Sequence, residues 1–324
     1  MGEFELIARL CADLPQSRRT ILGVGDDCAV LAASRHQQVI TIDSMVEGVH
    51  FRLNWTTPEE LGARALAVNL SDVAAMGATP TFCVINLAIR PGLEAAFFDQ
   101  LYAGLRQTAR NEQVDIVGGN ITRADQFAIT ITLLGEAQAG IMRRDRARPG
   151  DHIYVTGTLG DAALGLRLLD RKVKARGAAR DFLIDRFLRP TARIAAGRKL
   201  ARIKPAPAAI DISDGLWQDL GHILERSGVG AEIELRAIPL SPAYCVVKGD
   251  DPELALTGGE DYELLFCTKA MFSNSALAKK LGVQVTRIGR IVATKGARLL
   301  DDGHPVADLT QRLSGWDQLR SVRK

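Results

Sequence analysis

The chain has 324 residues, 47% of them hydrophobic, enough for about two domains at roughly 100 to 200 residues each; 41 Lys and Arg against 38 Asp and Glu leave a basic surplus of only three, which gives no support to nucleic-acid binding. The first ten residues lack the basic flank and long apolar region of a secretory signal, and no apolar run approaches the ~18 residues of a membrane span, which predicts a cytoplasmic protein with no membrane partner. Cys11, Cys28, Cys83, Cys245 and Cys267 are widely spaced and odd in number, which predicts reduced thiols.

Phe4 to Leu14 carries apolar residues at helical spacing. Gly23-Val24-Gly25-Asp26-Asp27 is a glycine-loosened acidic turn, and Val39 to Asp43 is an alternating β-branched strand ending on an aspartate; if the two pair, their carboxylates meet at the strand tips. Two carboxylates about 4 Å apart repel by about 4 kcal/mol at an effective dielectric near 20. Gathering several therefore calls for hard cations, although a solvated Gly-Asp-Asp turn reads equally well from this stretch alone. His50 falls where a loop leaves the strand.

Thr57-Pro58-Glu59-Glu60 starts a helix, with Thr57 as cap, Pro58 in the first turn and Glu60 placed for a capping box; the helix runs to about Met76 and stops at Gly77. Its small apolar residues leave little polar face, so Asp72, on a stripe with Asn69, needs a cation or strong donors. Thr81 to Ile89 reads as a strand and Leu93 to Arg110 as an amphipathic helix, in which core packing is the default reading of Tyr102. Val114 to Val117 reads as a short strand opening into Gly118-Gly119-Asn120, and Phe127 to Leu134 as a strand ending at Gly135-Glu136. This order gives an α/β domain over residues 1–146, with functional loops clustered at one edge.

A second domain, 147–324, begins with the linker Ala147 to Asp151, after the basic cluster Arg143 to Arg148, which reads as a local anion contact or a solvated face. His152 to Val155 is a strand, and Gly157-Thr158-Leu159-Gly160-Asp161 opens an apolar helix to about Leu169. That loop matches neither the P-loop nor the dinucleotide pattern, which leaves an anion held on backbone N–H groups, or close helix packing. Asp170 to Arg180 is an exposed connection, and helices fill Asp181 to Ile203. Ala208 to Gly215 is a strand discharging Asp211 and Asp214 at its end, where Ser213 or Asp214 caps the next helix. Leu256 to Tyr262 is a glycine-tipped acidic loop with Glu260 and Asp261, before a strand from Glu263 to Cys267. Lys269 to Leu281 is helical, Val285 to Val292 and Arg298 to Leu300 are strands, Asp302-Gly303 is a hairpin turn, and Trp316 lies on a short amphipathic piece near the end.

Five separate stretches thus bring carboxylates to strand or helix ends, with no Ser/His/Asp or Cys/His arrangement among them. The residues point to a multi-magnesium site for a polyphosphate, where catalysis is positioning plus electrostatics.

The strings GVGDDCAVL, TIDSMVEGVHF, LAVNLSDVAAMGATP, DIVGGNITR, RPGDHIYVTGTLGDAALGL, FLRPTARI, IDISDGL and LTGGEDYELLF, in this order from Gly23 to Phe266, resemble the thiamine-monophosphate kinase family. That family belongs to the aminoimidazole-ribonucleotide synthetase-like superfamily of ATP-dependent enzymes. The resemblance implies an α/β (α+β) two-domain fold whose first domain forms a barrel across a homodimer and whose layered second domain completes the active site. It implies ATP-dependent phosphorylation of thiamine monophosphate to thiamine diphosphate, the last step of thiamine diphosphate biosynthesis, with Mg2+. By the same resemblance Asp27, Asp43, Asp72, Asp211 and Asp214 are magnesium ligands, with Thr41, Ile42 and Asn120 adding oxygens, and Asp43, Asp72 and Asp211 the catalytic set. Tyr102, Gly119, Asn120, Arg144 and Ser213 contact the nucleotide, and His50, Glu260 and Trp316 line the thiamine phosphate pocket, the tryptophan face attracting the cationic thiazolium. Asn120 stands where many members have Asp, and Ser44 where threonine is common. The selenophosphate-forming branch would want a reactive cysteine near the amino terminus, whereas Cys11 sits on a helix without a glycine-rich loop; a magnesium-dependent nucleotide- or thiamine-sensing protein would keep the aspartates.

Overall fold

In the computed structural model, which describes residues 3–306, the chain divides into two units: residues up to Val73 with Ala78–Gln138, and Ala74–Gly77 with the residues from Ala139 onward. The first unit holds α1 (Glu3–Cys11), β1 (Thr20–Leu22), β2 (Val30–Leu31), β3 (Gln37–Val46), α2 (Pro58–Ala75), β4 (Thr79–Ile89), α3 (Ala95–Glu112), β5 (Asp115–Arg123) and β6 (Ala128–Ala137), with the last turn of α2 counted in the second unit. Its main sheet has the order β3-β6-β4-β5, with β3 and β4 antiparallel to β6 and β5 parallel to β4.

Helix α2 starts as the capping-box signature requires: the Glu60 N–H donates to Thr57 Oγ1 at 3.2 Å while the Thr57 N–H donates to Glu60 Oε2 at 2.8 Å. Its apolar residues, Leu61, Leu66, Leu70 and Val73 among them, are buried, and α3 crosses it closely. At the crossing a Cβ on Gly62 would stand 2.0 Å from the Leu101 carbonyl oxygen, and one on Gly104 would stand 1.9 Å from that of Glu59, so both helices need glycine there. One sheet face is buried through Ile85, Leu87, Ile129, Ile131 and Leu133. The other is open: Ile40 is 71% exposed, Ile42 62% and Val84 37%.

Three strand expectations change. Asp43 is interior to β3, not at its tip, because the alternating pattern continues through Ser44, Met45 and Val46. The acidic turn does not pair with β3; it lies between β1 and β2, which pair with each other, and Ser17 and Thr20 tie that hairpin to Asp115 at the start of β5. Strand β5 runs through Gly118-Gly119-Asn120 to Arg123 and does not end in a glycine loop. A Cβ at position 119 would lie 2.2 Å from the Ile85 carbonyl oxygen, so the glycine serves a close strand approach.

The second unit holds β7 (His152–Thr156), α4 (Asp161–Leu169), α5 (Gly177–Leu188), α6 (Ile194–Leu200), β8 (Ala208–Asp211), α7 (Leu216–Ser227), β9 (Gly230–Glu234), α8 (Pro242–Lys248), α9 (Glu253–Thr257), β10 (Leu264–Thr268), α10 (Asn274–Leu281), β11 (Val285–Val292), β12 (Gly296–Asp301) and β13 (His304–Pro305). Its seven-stranded sheet has the order β13-β12-β9-β11-β7-β10-β8, antiparallel except for β12 beside β9. The core lies between this sheet and α7, through residues such as Ile153, Ile210, Leu220, Ile223 and Leu265. Asp302 and Gly303 both have positive φ, as a two-residue hairpin turn requires. The cysteines are free thiols, and among the described residues no helix is long and apolar enough to cross a membrane.

Candidate active site

In the first unit, β3 and α2 hold one acidic group. Thr41 and Asp43 share a face of β3 by the two-residue period. Thr41 Oγ1 donates to Asp72 Oδ2 on α2, and the Asp43 N–H donates to Asn69 Oδ1 at 3.1 Å. Asn69, 1% exposed, is itself held by donating to the Ala65 carbonyl at 3.0 Å. Asp43 is exposed and Asp72 half-buried, and both stand at the β3 edge of the sheet. Ile42 turns its side chain to the open face, which leaves only its backbone for that group. His50 follows β3, its Nδ1 accepting from the Val46 N–H at 3.1 Å, which puts the ring proton on Nε2.

Other expected site residues of this unit lie apart from that pair. The pairing register sets Asp43, Ile131, Ile85 and Gly119 in one row, and Ser44, Thr130, Asn86 and Asn120 in the next. Asn120 therefore belongs to the open face, where its Nδ2 donates to Asn86 Oδ1 at 2.8 Å, about 14 Å across three strand spacings from β3. Asp26 and Asp27 are exposed in the turn between β1 and β2, with the Asp27 N–H on Asp26 Oδ1. Tyr102 is buried in α3, and burial pushes its hydroxyl pKa up.

The second unit brings Asp211, Ser213, Asp214, Glu260 and Arg144 into one neighbourhood. Asp211 ends β8 at 3% exposure, and the loop after it does not cap α7 with Ser213 or Asp214. Instead Asp219 reaches back from within the helix, its Oδ2 accepting from the N–H groups of Ser213, Asp214 and Gly215, each at 3.1 Å. Burial and the neighbouring carboxylates Asp211 and Asp214 push Asp219 up to about 8, against the pull of those donors. Burial also raises Asp214, opposed by His222, by a 3.3 Å hydrogen bond from Gln218 and by Arg144, while Glu260 adds to the rise. The Glu260 N–H donates to the Ser213 carbonyl at 2.8 Å and the Tyr262 N–H to that of Ile212 at 2.9 Å, lacing the two acidic loops together.

The loop before α4 does hold an anion on its N–H groups, and the anion is the chain's own. Asp261, 1% exposed, accepts from the Gly160 N–H at 2.6 Å and the Ala162 N–H at 3.2 Å, occupying the positive end of the helix. Fully buried Glu263 beside it accepts from Thr156, Arg186 and Arg193, an ion network in which removing one partner would cost about 3–5 kcal/mol. These two acids are structural, which separates them from Glu260.

Sequence reasoning missed Asp219, Tyr262, Gln218 and His222. The only signal for Asp219 was its position one helical turn past Gly215. Trp316 lies outside the described residues. Among the described residues no three His, Cys, Asp or Glu side chains are gathered in an arrangement that could hold a metal ion. The donor set in each unit, two carboxylates with hydroxyl or amide oxygens, nevertheless suits magnesium, which keeps several waters and takes one or two carboxylates plus phosphate oxygens.

Residues 25–137 match the family described as AIR synthase related protein, N-terminal domain, and residues 148–302 its C-terminal domain. The thiamine-monophosphate kinase of Salmonella typhimurium is 43% identical over 94% of this chain and 95% of its own length. The crystal structure of thiamine-monophosphate kinase from Stenotrophomonas maltophilia K279a superposes with a TM-score of 0.83 at 38% identity, covering 94% of this chain and 98% of that one. A structure of AaThiL complexed with AMPPCP and TMP gives a TM-score of 0.77 at 34% identity, covering 98% and 97%. With relatives this similar along nearly their whole length, the chain belongs to the thiamine-monophosphate kinase family, within the AIR synthase related proteins.

Proposed function

We propose that the chain catalyses the ATP-dependent phosphorylation of thiamine monophosphate to thiamine diphosphate. The observation that carries this is the near full-length similarity to thiamine-monophosphate kinases, one of which holds AMPPCP and TMP together. The acceptor phosphate has a second pKa near 6, so at neutral pH its oxygen is already anionic and no residue need take a proton from it. That oxygen attacks the γ-phosphorus in line and ADP leaves. The absence of a Ser/His/Asp or Cys/His arrangement from the sequence fits a reaction in which positioning is the protein's task.

Asp43, Asp72, Asp211 and Asp214, with Asp27 and the oxygens of Thr41, Ile42 and Asn120, would hold Mg2+, which when bound supplies positive charge against the repulsion between the two anionic substrates. Gly119, Asn120, Arg144, Ser213 and Tyr102 are assigned to the nucleotide, and His50, Glu260 and Trp316 to thiamine phosphate. A second copy of the chain covers the open face of the four-stranded sheet, in keeping with the exposure of Ile40, Ile42 and Val84. The cytoplasm, where ATP is made available, is the working compartment.

A coupled ADP-release assay tests this reading. Thiamine phosphate should drive ADP release, whereas thiamine and aminoimidazole ribonucleotide precursors should not. Asp43→Ala and Asp72→Ala should each abolish turnover while thermal unfolding stays close to that of the parent. Release driven equally by the aminoimidazole precursor, or full turnover in either variant, would refute it.

A further inference from the structure

The basic stretch after β6 is pinned at two points and exposed between them. Met142 and Ala147 are buried, while Arg143, Arg144, Asp145 and Arg146 are exposed, and Arg144–Arg146 is wound into a single 3-10 turn. Two of these cations are occupied: Arg143 pairs with Asp145, and Arg146 donates to the Ile141 carbonyl at 2.9 Å. The Arg144 guanidinium, among the described residues, has neither a hydrogen bond nor an ion pair. It is near enough to Asp214 to oppose the rise in that carboxyl's pKa.

One side chain fixes the backbone beneath that arginine. Ser227, the last residue of α7, donates its hydroxyl to the Arg144 carbonyl at 2.8 Å and accepts from the Ala147 N–H at 3.0 Å. A carbonyl and an N–H three residues apart are the pair that closes a 3-10 turn, so a single hydroxyl grips the turn at both ends. The hydroxyl is itself well anchored. Gly228, at φ of +68°, closes the helix with its N–H on the Glu225 carbonyl at 3.2 Å, and the Val229 N–H returns to that of Leu224 at 3.1 Å. Leu224, Val229 and Ala147 lie in the same buried cluster. One rigid helix therefore follows directly on the acidic loop 213–215 at its start and holds the basic turn at its end.

A guanidinium meets phosphate oxygens through forked donors of fixed geometry, so it needs a defined origin. Ordering its long side chain on a ligand already costs conformational entropy, and a loose backbone beneath it would add to that cost. Resting on the proposed kinase reading, in which Arg144 contacts the nucleotide, we infer that Ser227 is a positioning residue for ATP: its hydroxyl holds the turn from which the Arg144 guanidinium reaches the phosphates. The role concerns ATP and not thiamine phosphate.

Calorimetric titration with AMPPCP, steady-state kinetics and thermal unfolding test this on the parent, Ser227→Ala, Ser227→Thr, Arg144→Ala and the double variant Ser227→Ala/Arg144→Ala. Ser227→Ala should weaken AMPPCP binding and raise the KM for ATP about fivefold, the equilibrium worth of one ordinary hydrogen bond. The values of kcat and of the KM for thiamine phosphate should stay within about twofold. Ser227→Thr, which keeps the hydroxyl, should bind AMPPCP as the parent does. The double variant should bind it no more weakly than Arg144→Ala alone, since the hydroxyl acts through the arginine. A purely structural hydroxyl would lower the unfolding midpoint of Ser227→Ala and leave its AMPPCP affinity unchanged. That result, an unchanged affinity in Arg144→Ala, or losses that add in the double variant would each overturn the positioning role while the kinase reading stands. If the parent turns over no thiamine phosphate, the reading falls and this inference falls with it.

Discussion

The carboxylate of Asp219 does for the loop 213–215 what a side-chain cap does for a helix, from the opposite direction. One oxygen gathers three N–H groups that would otherwise be left without partners in a mostly buried turn. Each orphaned donor would cost about 1–3 kcal/mol, so the loop that displays Ser213 and Asp214 depends on this one side chain. Asp219→Ala is expected to lower kcat at least tenfold, whereas Asp219→Asn, whose amide oxygen can stand where Oδ2 stands, should stay within about threefold of the parent. Steady-state kinetics with circular dichroism on both variants check this, and equal damage from Asn and Ala would argue against it. The sequence displayed Asp211, Asp214 and Glu260 openly, because acids after an apolar strand stand out. It did not display Asp219 or Ser227, whose partners are selected by how the turns at the two ends of α7 fold.

Among the elements, local signals were read well and distant ones were not. The start of α2 was legible because a capping box is contained within four residues. The length of β5 was not, since glycines that usually mark a loop here allow β4 to approach. The N-terminus of α4 was half legible: its loop was open to an anion or to close helix packing, and the anion came from Asp261, far along the chain. Burial pushes that carboxyl up to about 7, with Asp161 adding to the rise and Arg186 and the two N–H donors opposing it. A folded pKa above the unfolded value of about 4 means the native state binds the proton more tightly. Its contribution to stability is then complete below about pH 4 and lost as pH climbs through about 7, by up to about 1.4 kcal/mol per pH unit. Asp261→Asn removes that titration. The midpoint of the parent minus that of the variant should therefore fall steadily between pH 4 and 7, and a difference that stays constant across that range would contradict the assignment.

For the molecule as a whole, the first unit leaves one face of a four-stranded sheet uncovered while the other is buried under helices, an arrangement that suits pairing with a second copy. Ile40→Glu places a charge on that face outside the candidate site. It should convert a dimer to a monomer in sedimentation velocity without loss of secondary structure, and a parent that is already monomeric would remove the pairing from the proposal. Two domains were expected from length, with the second opening at Ala147; the contacts divide the chain at Gln138, with Ala74–Gly77 joining the second unit. The opposite faces taken by Asp43 and Asn120 were not foreseeable, because strand order is set by partners distant in sequence. The reciprocal contact of Gly62 and Gly104 has a consequence for the acidic pair. Asp72 lies ten residues past Gly62 on the same rigid helix, about 15 Å along its axis. A single added methyl at the crossing would lever that carboxylate away from Thr41, so neither position has room for a side chain.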